Sequence, residues 1–214
     1  QRIAEEAFDA LLGQIKPGMQ EKELAALLEY EMAKRGSERP SFDTILISGA
    51  KTSMPHGMPD TKPVAAGEFI LVDFGAVVNG YHSDMTRTFA LGSATERMRT
   101  VYSTVLAAQE TGIRMLRAGV SCDQPHLAAH QVIRDAGFGD CFGHALGHCV
   151  GLEIHESPAL SPRAKQHLEP GMVITVEPGI YLPGEFGVRI EDLLLIQPDG
   201  AEDLTHTPKK LLIL

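Results

Sequence analysis

The stretch 69–88 constrains the fold more than any other part of the chain. It predicts two apolar strands joined by Asn-Gly at 79–80, a dipeptide preferred in type I′ hairpin turns because both central residues there take positive φ. A two-residue turn sets Gly75 opposite Asp84 and puts Asp73 on the same face, roughly 7 Å from Asp84. Two such carboxylates fit either a metal site, with space for the ion beside Gly75, or a solvated pair of acids.

The strand-and-acid pattern occurs a second time, about half the chain later. Residues 67–73 and 171–177 each begin with Gly, continue as an apolar strand and end in an acid, Asp73 or Glu177. Each acid is followed by a second strand with another acid, Asp84 or Glu191. Solenoid repeats are roughly 20–50 residues long. A single repeat of half the chain instead predicts halves 1–110 and 111–214 related by a pseudo-twofold, which would bring four carboxylates to one centre.

Composition narrows the class of protein and its partners. The net charge of −9 argues against nucleic acid and anionic membrane as main partners. No apolar run approaches the roughly 18 residues that a membrane-spanning helix needs. The three cysteines have no framework spacing, which is typical of a reducing compartment. We therefore expect a cytoplasmic protein.

The periodicity of apolar residues places helices and strands along the whole chain. Four segments predict helices, and the strand signals fall between and after them. The predicted helices are 3–15, 21–35, 93–117 and 121–135, and the predicted strands outside the hairpin are 43–48, 172–177 and 187–197.

Five side chains are the candidate metal ligands: Asp73, Asp84, His148, Glu177 and Glu191. Four carboxylates in one partly buried place repel one another, and two divalent cations balance their charge. Oxygen ligands with one imidazole suit Mn, Co, Fe or Zn rather than a soft-metal site.

The other polar residues near these ligands have two interpretations each. His144 and His148 are four apart, as in the HExxH zinc motif, but Ala145 stands where that motif needs Glu, which excludes this class. His56 could be an ordinary loop histidine, and His144 and His155 could be structural. Arg189 could serve only to neutralise Glu191 on the same strand face.

Six segments of the chain resemble the Xaa-Pro aminopeptidase/prolidase branch of the "pita-bread" metallopeptidases. They are LVDFG at 71–75, YHSDMTRT at 81–88, GHALGH at 143–148, HESP at 155–158, VEPGIY at 176–181 and VRIED at 188–192. The resemblance implies the α+β pita-bread fold, with a curved, mainly antiparallel sheet covered by helices. It also implies one catalytic domain over 1–214, and the separate N-terminal domain usual in this branch is expected to be absent.

The resemblance also assigns the metal ligands of a dinuclear centre. Asp73 would bind one ion with both oxygens, Asp84 and Glu191 would bridge the two ions, and His148 and Glu177 would complete the second. Two divalent ions per chain are implied, with Mn²⁺ or Co²⁺ favoured and Zn²⁺ or Fe²⁺ as alternatives.

The implied catalytic residues are His56, His144, His155, Glu177 and Arg189. Glu177 would also shuttle the proton of the attacking water. His144 and His155 would contact the scissile region and the residue after it, while His56 and Arg189 would line the pocket.

The implied activity is hydrolysis of an N-terminal Xaa-Pro bond, by an aminopeptidase or a dipeptidase. The expected partner is a peptide with proline at its second position, and a homodimer is compatible with the branch. Two alternatives remain. Methionine aminopeptidases usually have His or Asn, then Thr, after the Glu that corresponds to Glu191, where this chain has Asp192. Non-catalytic pita-bread modules that bind peptides generally lose metal ligands, and all five are present here.

Overall fold

Helices and strands alternate through the computed structural model, which describes all 214 residues. The helices are α1 (Arg2–Leu12), α2 (Glu21–Lys34), α3 (Glu96–Met115) and α4 (Asp123–Asp135), with 3₁₀ turns at Gly49–Ser53 and Gly139–Cys141. The strands are β1 (Ile45–Ser48), β2 (Phe69–Phe74), β3 (Val77–Val78), β4 (Tyr81–His82), β5 (Met85–Ala90), β6 (Gly147–Cys149), β7 (Glu156–Leu160), β8 (Val173–Val176), β9 (Gly179–Leu182), β10 (Phe186–Arg189), β11 (Asp192–Gln197) and β12 (Gly200–Asp203). This mixture confirms the predicted α+β class.

All pairings between these strands are antiparallel, as predicted. One sheet has the order β1-β2-β5, and the larger one has the order β12-β11-β8-β6-β7. Within the larger sheet, β6-β8-β11 has the same chain order and antiparallel sense as β1-β2-β5. The strand topology therefore repeats, as the sequence pattern indicated.

The two main sheets meet where β5 passes residues 189–191. The backbone N–H of Glu191 donates to the carbonyl oxygen of Thr86 over 3.1 Å. Thr88 and Arg189 exchange two further hydrogen bonds through the threonine hydroxyl, of 2.9 and 3.2 Å. This seam brings the second acid of each half close to the other half.

Each sheet packs against its own pair of helices. The apolar faces of α1 and α2, including Phe8 and Leu28, form one buried cluster with β2 and β5. The faces of α3 and α4, including Val105 and Ile133, form another with β8 and β11. The helices cover one face of each sheet. At the seam, the two sheets present polar side chains to each other.

The hairpin prediction is confirmed at its turn and in its register. Asn79 and Gly80 have φ of 51° and 79°, as a type I′ turn requires, and Val78 pairs with Tyr81. The prediction that Gly75 leaves space for an ion is wrong, because a Cβ at this position would lie 1.8 Å from the carbonyl oxygen of Ser83. Gly75 permits this close approach of two backbones and does not leave room for an ion.

The predicted single strand 187–197 is also wrong in detail. It is divided into β10 and β11, with Ile190 and Glu191 between them. β10 pairs with β9, whereas β11 pairs with β8, so the chain changes partner at this break. The break leaves the backbone N–H of Glu191 free to bond across the seam.

Candidate metal centre

A cavity of about 250 Å³ is lined by residues from both sheets. All nine site residues that the sequence predicted lie along its wall, namely His56, Asp73, Asp84, His144, His148, His155, Glu177, Arg189 and Glu191. The fold therefore brings together residues that are more than half a chain apart in sequence, such as His56 and Glu191.

The ligand residues lie in strands or at the points where strands begin, end or break. Asp73 is in β2 and His148 is in β6, whereas Asp84 immediately precedes β5 and Glu177 immediately follows β8. Glu191 occupies the break between β10 and β11. Antiparallel strands thus carry or directly flank every candidate ligand, which favours a well-defined arrangement of their oxygen and nitrogen atoms.

Three of the candidate ligands form a tight cluster. The ligand atoms of Asp84, His148 and Glu191 all lie within 4.8 Å of one another. His148 Nε2 is 3.6 Å from Asp84 Oδ2 and 3.4 Å from Glu177 Oε1. Glu177 is therefore a third carboxylate at this cluster.

The tautomer of His148 favours a cation between its Nε2 atom and the carboxylates of Asp84 and Glu177. Its Nδ1 is 3.0 Å from the carbonyl oxygen of Cys149, which can only accept, so Nδ1 carries the proton. The Nε2 lone pair of the neutral ring then faces Asp84 and Glu177, which offer only lone pairs when ionised. Metal-bound histidines commonly have this arrangement, with the second ring nitrogen donating to a carbonyl group.

Asp73 lies on the same cavity wall and is held by Arg189. The guanidinium Nη2 donates to Asp73 Oδ2 over 2.5 Å, and Arg189 is only 3% exposed. The alternative in which Arg189 pairs with Glu191 is therefore wrong. Asp73 Oδ1 has no hydrogen-bond partner, and neither does the buried Asp84 Oδ1. Buried carboxylate oxygens are costly to leave unpaired, so these atoms fit cation ligands.

Burial and mutual repulsion raise the pKa values of three carboxyl groups in the cluster. Burial raises the pKa of Glu177 to about 8, with the charge of Asp73 adding to the shift. Burial followed by the charges of Asp73 and Glu177 raises the pKa of Asp84, and burial followed by the charge of Asp84 raises that of Glu191. Such raised pKa values favour the protonated forms of these carboxyl groups unless a cation offsets their charge.

His144 is oriented by two hydrogen bonds. Its Nδ1 donates to the carbonyl oxygen of Ala145 over 2.7 Å, which leaves Nε2 to accept from the Tyr181 hydroxyl at 2.9 Å. Burial lowers the pKa of His144 to about 4, so the ring is neutral at pH 7. Tyr181 in turn accepts from Arg189 Nη1 over 2.8 Å. Both ring nitrogens are therefore occupied in this arrangement.

The two remaining histidines lie at the exposed side of the cavity. His56 is in the loop after the first 3₁₀ turn, and His155 directly precedes β7. The ring of His155 packs edge-on against that of His148, with 4.5 Å between centroids. Of the candidate catalytic histidines, His155 is the one that contacts a candidate ligand.

Three supporting residues were not assigned a role from the sequence. Thr86 donates its hydroxyl to Glu191 Oε2 over 2.6 Å, and Thr175 donates to Glu177 Oε1 over 3.2 Å. Tyr181 links His144 to Arg189, as described above. A usable signal existed for both threonines, because Thr86 is the cross-strand partner of Asp73 and Thr175 precedes Glu177 by one strand period.

Comparison with known proteins identifies the family. Residues 1–198 match the profile of metallopeptidase family M24. The chain belongs to this family. Membership implies that the centre uses divalent metal, and it agrees with the donor set on the cavity wall. It also confirms the resemblance drawn from the sequence motifs.

The M24 relatives are peptidases of known and unknown specificity. The chain is 44% identical over 210 residues to the Xaa-Pro dipeptidase of Pyrococcus furiosus, covering 98% of this chain and 60% of that protein. It superposes on an X-Pro aminopeptidase from Thermotoga maritima with a TM-score of 0.98 at 44% identity, covering 100% of this chain and 60% of that one. The P. furiosus prolidase superposes with a TM-score of 0.95 at 44% identity, covering 97% and 61% of the two chains.

These matches confirm the pita-bread M24 fold. The chain spans about 60% of the length of the relatives it matches. No helix of this M24 chain is both long and apolar enough to cross a bilayer.

Proposed function

We propose that this chain is the catalytic domain of a dinuclear metal-dependent exopeptidase that hydrolyses the bond between a first residue and a following proline. The observation that carries the proposal is the convergence of the neutral His148 Nε2 with Asp84, Glu177 and Glu191. The similar proteins include an Xaa-Pro dipeptidase and an X-Pro aminopeptidase, which supports the substrate class.

The five ligand residues would hold two divalent ions. Asp73 would contribute Oδ1, which has no hydrogen-bond partner, more readily than Oδ2, which accepts from Arg189. Four carboxylates and two divalent cations balance in charge. Bound at this point, the ions would supply Lewis-acid activation of a water molecule and of the scissile carbonyl group. The oxygen-rich donor set with one imidazole favours Mn²⁺ or Co²⁺, with Zn²⁺ or Fe²⁺ as alternatives.

Each remaining side chain has a definable task in this proposal. Glu177 accepts a proton from the attacking water and passes it to the proline nitrogen as the C–N bond breaks. His155 donates to the carbonyl oxygen as negative charge develops there. Arg189 fixes one oxygen of Asp73, and with Tyr181 it holds His144 against the substrate pocket. The exposed His56 forms the opposite wall.

Proline is compatible with such a pocket because it lacks the amide N–H and has φ fixed near −65°. A site that accepts proline cannot depend on that N–H. It can gain instead from the rigid ring, which loses little conformational freedom on binding.

We also propose that residues 1–214 form one catalytic unit with pseudo-symmetric halves 1–110 and 111–214. The matching strand orders β1-β2-β5 and β6-β8-β11 support this division. Because the cavity draws ligands from both halves, neither half would bind the ions alone.

The experiment combines metal analysis with peptide hydrolysis. Metal-stripped protein is reloaded with Mn²⁺ or Co²⁺ and assayed by chromatography on Ala-Pro-Ala and Met-Ala-Ser. We expect cleavage of the proline peptide and poor cleavage of Met-Ala-Ser. Faster cleavage of Met-Ala-Ser would assign the chain to the methionine aminopeptidases. Metal-loaded protein that cleaves neither peptide would favour the peptide-binding alternative.

A further inference from the structure

Glu21, the first residue of α2, is a buried acid that takes no part in the metal cavity. Its side chain is 0% exposed. Acids favour the first turn of a helix because of the helix dipole, but they are almost never fully buried unless they are paired. The burial of Glu21 therefore requires partners, and those partners indicate what it does.

The partners of Glu21 come from both ends of one loop, which we call the His56 loop (residues 49–60). Just before the loop, the backbone N–H and the hydroxyl of Ser48 donate to Glu21 Oε1 over 2.8 and 3.0 Å. At its end, the backbone N–H of Asp60 donates to Oε2 over 3.3 Å. Lys51 Nζ donates to the same Oε2 over 2.7 Å and is also 2.7 Å from Asp60 Oδ2. One carboxylate thus joins the two stems of the loop.

The His56 loop contributes Pro55 and His56 to the wall of the metal cavity. The Pro55 carbonyl oxygen accepts from Arg189 Nη1 over 3.3 Å. His56 is exposed, so the backbone of the loop sets its position more than packing around its ring does. The other side of the loop is anchored on β10, where the backbone N–H of Gly187 donates to Thr52 Oγ1 over 2.8 Å. The loop is therefore held between α2 and β10.

We propose that Glu21 is a positioning residue for substrate binding. It holds the two stems of the His56 loop together and so determines where His56 stands on the cavity wall. The hydrogen bonds of Glu21 go to the loop and its stems, and to none of the five candidate metal ligands. The effect on the peptide rests on the proposed function, whereas the tether of the loop can be measured without activity.

Three variants separate this role from a general loss of stability. Glu21→Gln preserves the size of the side chain but removes the charge that Lys51 pairs with. Glu31→Gln is the matched control, because Glu31 lies on the same helix, is 6% exposed and is paired with Arg35 rather than with the loop. Lys51→Met is the milder second variant, since the Lys51 side chain is 17% exposed, and it tests the same tether if Glu21→Gln does not fold.

Hydrogen exchange of the metal-free protein, followed by mass spectrometry, measures the tether without substrate. We expect residues 48–60 to exchange roughly 10- to 100-fold faster in Glu21→Gln, the scale of losing one hydrogen bond to a charged group. Lys51→Met should change in the same direction, and Glu31→Gln should leave this segment unchanged. Equal exchange of the segment in wild type and in the two loop variants would overturn the inference.

Hydrolysis of Ala-Pro-Ala by the Mn²⁺-loaded protein measures the consequence for the substrate. We expect KM to rise about 10-fold in Glu21→Gln, with kcat and Mn²⁺ affinity within about 3-fold of wild type, because the loop contributes to the pocket and not to the ligand set. The rise should disappear when Glu21→Gln is combined with His56→Ala, since residues that act as one unit have non-additive effects.

Two further outcomes distinguish a failure of the inference from a failure of the proposed function. Additive effects of Glu21→Gln and His56→Ala on KM, despite faster exchange of the loop, would show a purely structural role and overturn the inference while the proposed function stands. Wild-type protein that cleaves no peptide would overturn the proposed function and the kinetic role of Glu21 with it, and the exchange rates would still decide whether Glu21 tethers the loop.

Discussion

A buried charge network lies directly behind Glu191. Asp192 is 0% exposed and accepts hydrogen bonds from Arg87 (2.8 Å), Gln109 (2.7 Å) and Lys209 (2.6 Å). The same guanidinium donates from Nη1 to the backbone carbonyl oxygen of Glu191 over 2.6 Å. We predict that Asp192→Asn both destabilises the protein and weakens its metal binding.

The size of the stability loss follows from burial. The substitution preserves volume but leaves the buried charge of Arg87 beside a neutral amide, whereas Lys209 keeps Asp203 as a partner at 3.2 Å. Removing one partner of a buried ion pair costs about 3–5 kcal/mol, because the other charge is left uncompensated. For a chain of this size, 1 kcal/mol corresponds to a change in Tm of roughly 2–4 °C. The expected fall in Tm is therefore about 6–20 °C.

An exposed ion pair of the same chemistry is the matched control. Arg97 donates from Nε and Nη2 to the two oxygens of Glu185 over 2.6 and 2.8 Å, with side chains 54% and 48% exposed. Exposed pairs contribute about 0–1 kcal/mol. Glu185→Gln should therefore change the Tm by less than about 4 °C.

Thermal unfolding by circular dichroism in EDTA measures both variants without metal, and calorimetric titration with Mn²⁺ then measures affinity. Because Arg87 joins Asp192 to Glu191, we expect affinity to fall about 10- to 100-fold in Asp192→Asn. A Tm within 4 °C of wild type, or equal to that of Glu185→Gln, would refute the stability argument. Unchanged metal affinity in a destabilised variant would refute the coupling to Glu191.

Three further predictions concern the centre itself. Burial raises the pKa of Glu177 from its ordinary 4.5 to about 8, so its contribution to stability is present below about pH 4.5 and is lost as pH rises through 8. The Tm of metal-free protein should therefore fall between pH 5 and 8.5, and saturating Mn²⁺ should remove that fall; a flat profile in EDTA would contradict this. Asp84→Ala combined with Glu191→Ala should reduce bound metal from two ions per chain to none by elemental analysis, and retained stoichiometry would exclude these ligands. His155→Ala should lower kcat by roughly 10²–10³, the scale of one oxyanion donor, and a change in KM alone would indicate a binding role.

Much of the site was predictable from local sequence patterns. Asn-Gly at 79–80 determined the turn, and the strand period of two then determined which residues of the hairpin share a face. The recurrence of the same strand-and-acid pattern around Glu177 indicated a second, equivalent contribution. These inferences succeed because the turn and the strand period act over a few residues, and the same local rule applies to both halves.

Contacts between distant segments were not predictable in this way. Arg189 neighbours Glu191 in sequence, yet its guanidinium pairs with Asp73, which lies in the other half. Tyr181, in β9, orients His144, which lies in the segment before β6. Each of these depends on how two sheets approach each other, and no local periodicity records that distance.

The sequence by itself determined the residue types of the centre, the strands that carry them and their doubled arrangement, because backbone propensity and apolar alternation are properties of short segments. Only the tertiary structure decided that Arg189 pairs with Asp73, that both ring nitrogens of His144 are hydrogen-bonded, and that the predicted strand 187–197 breaks at 190–191. Those outcomes follow from packing at the seam, where the free energy of one side chain depends on partners about 100 residues away.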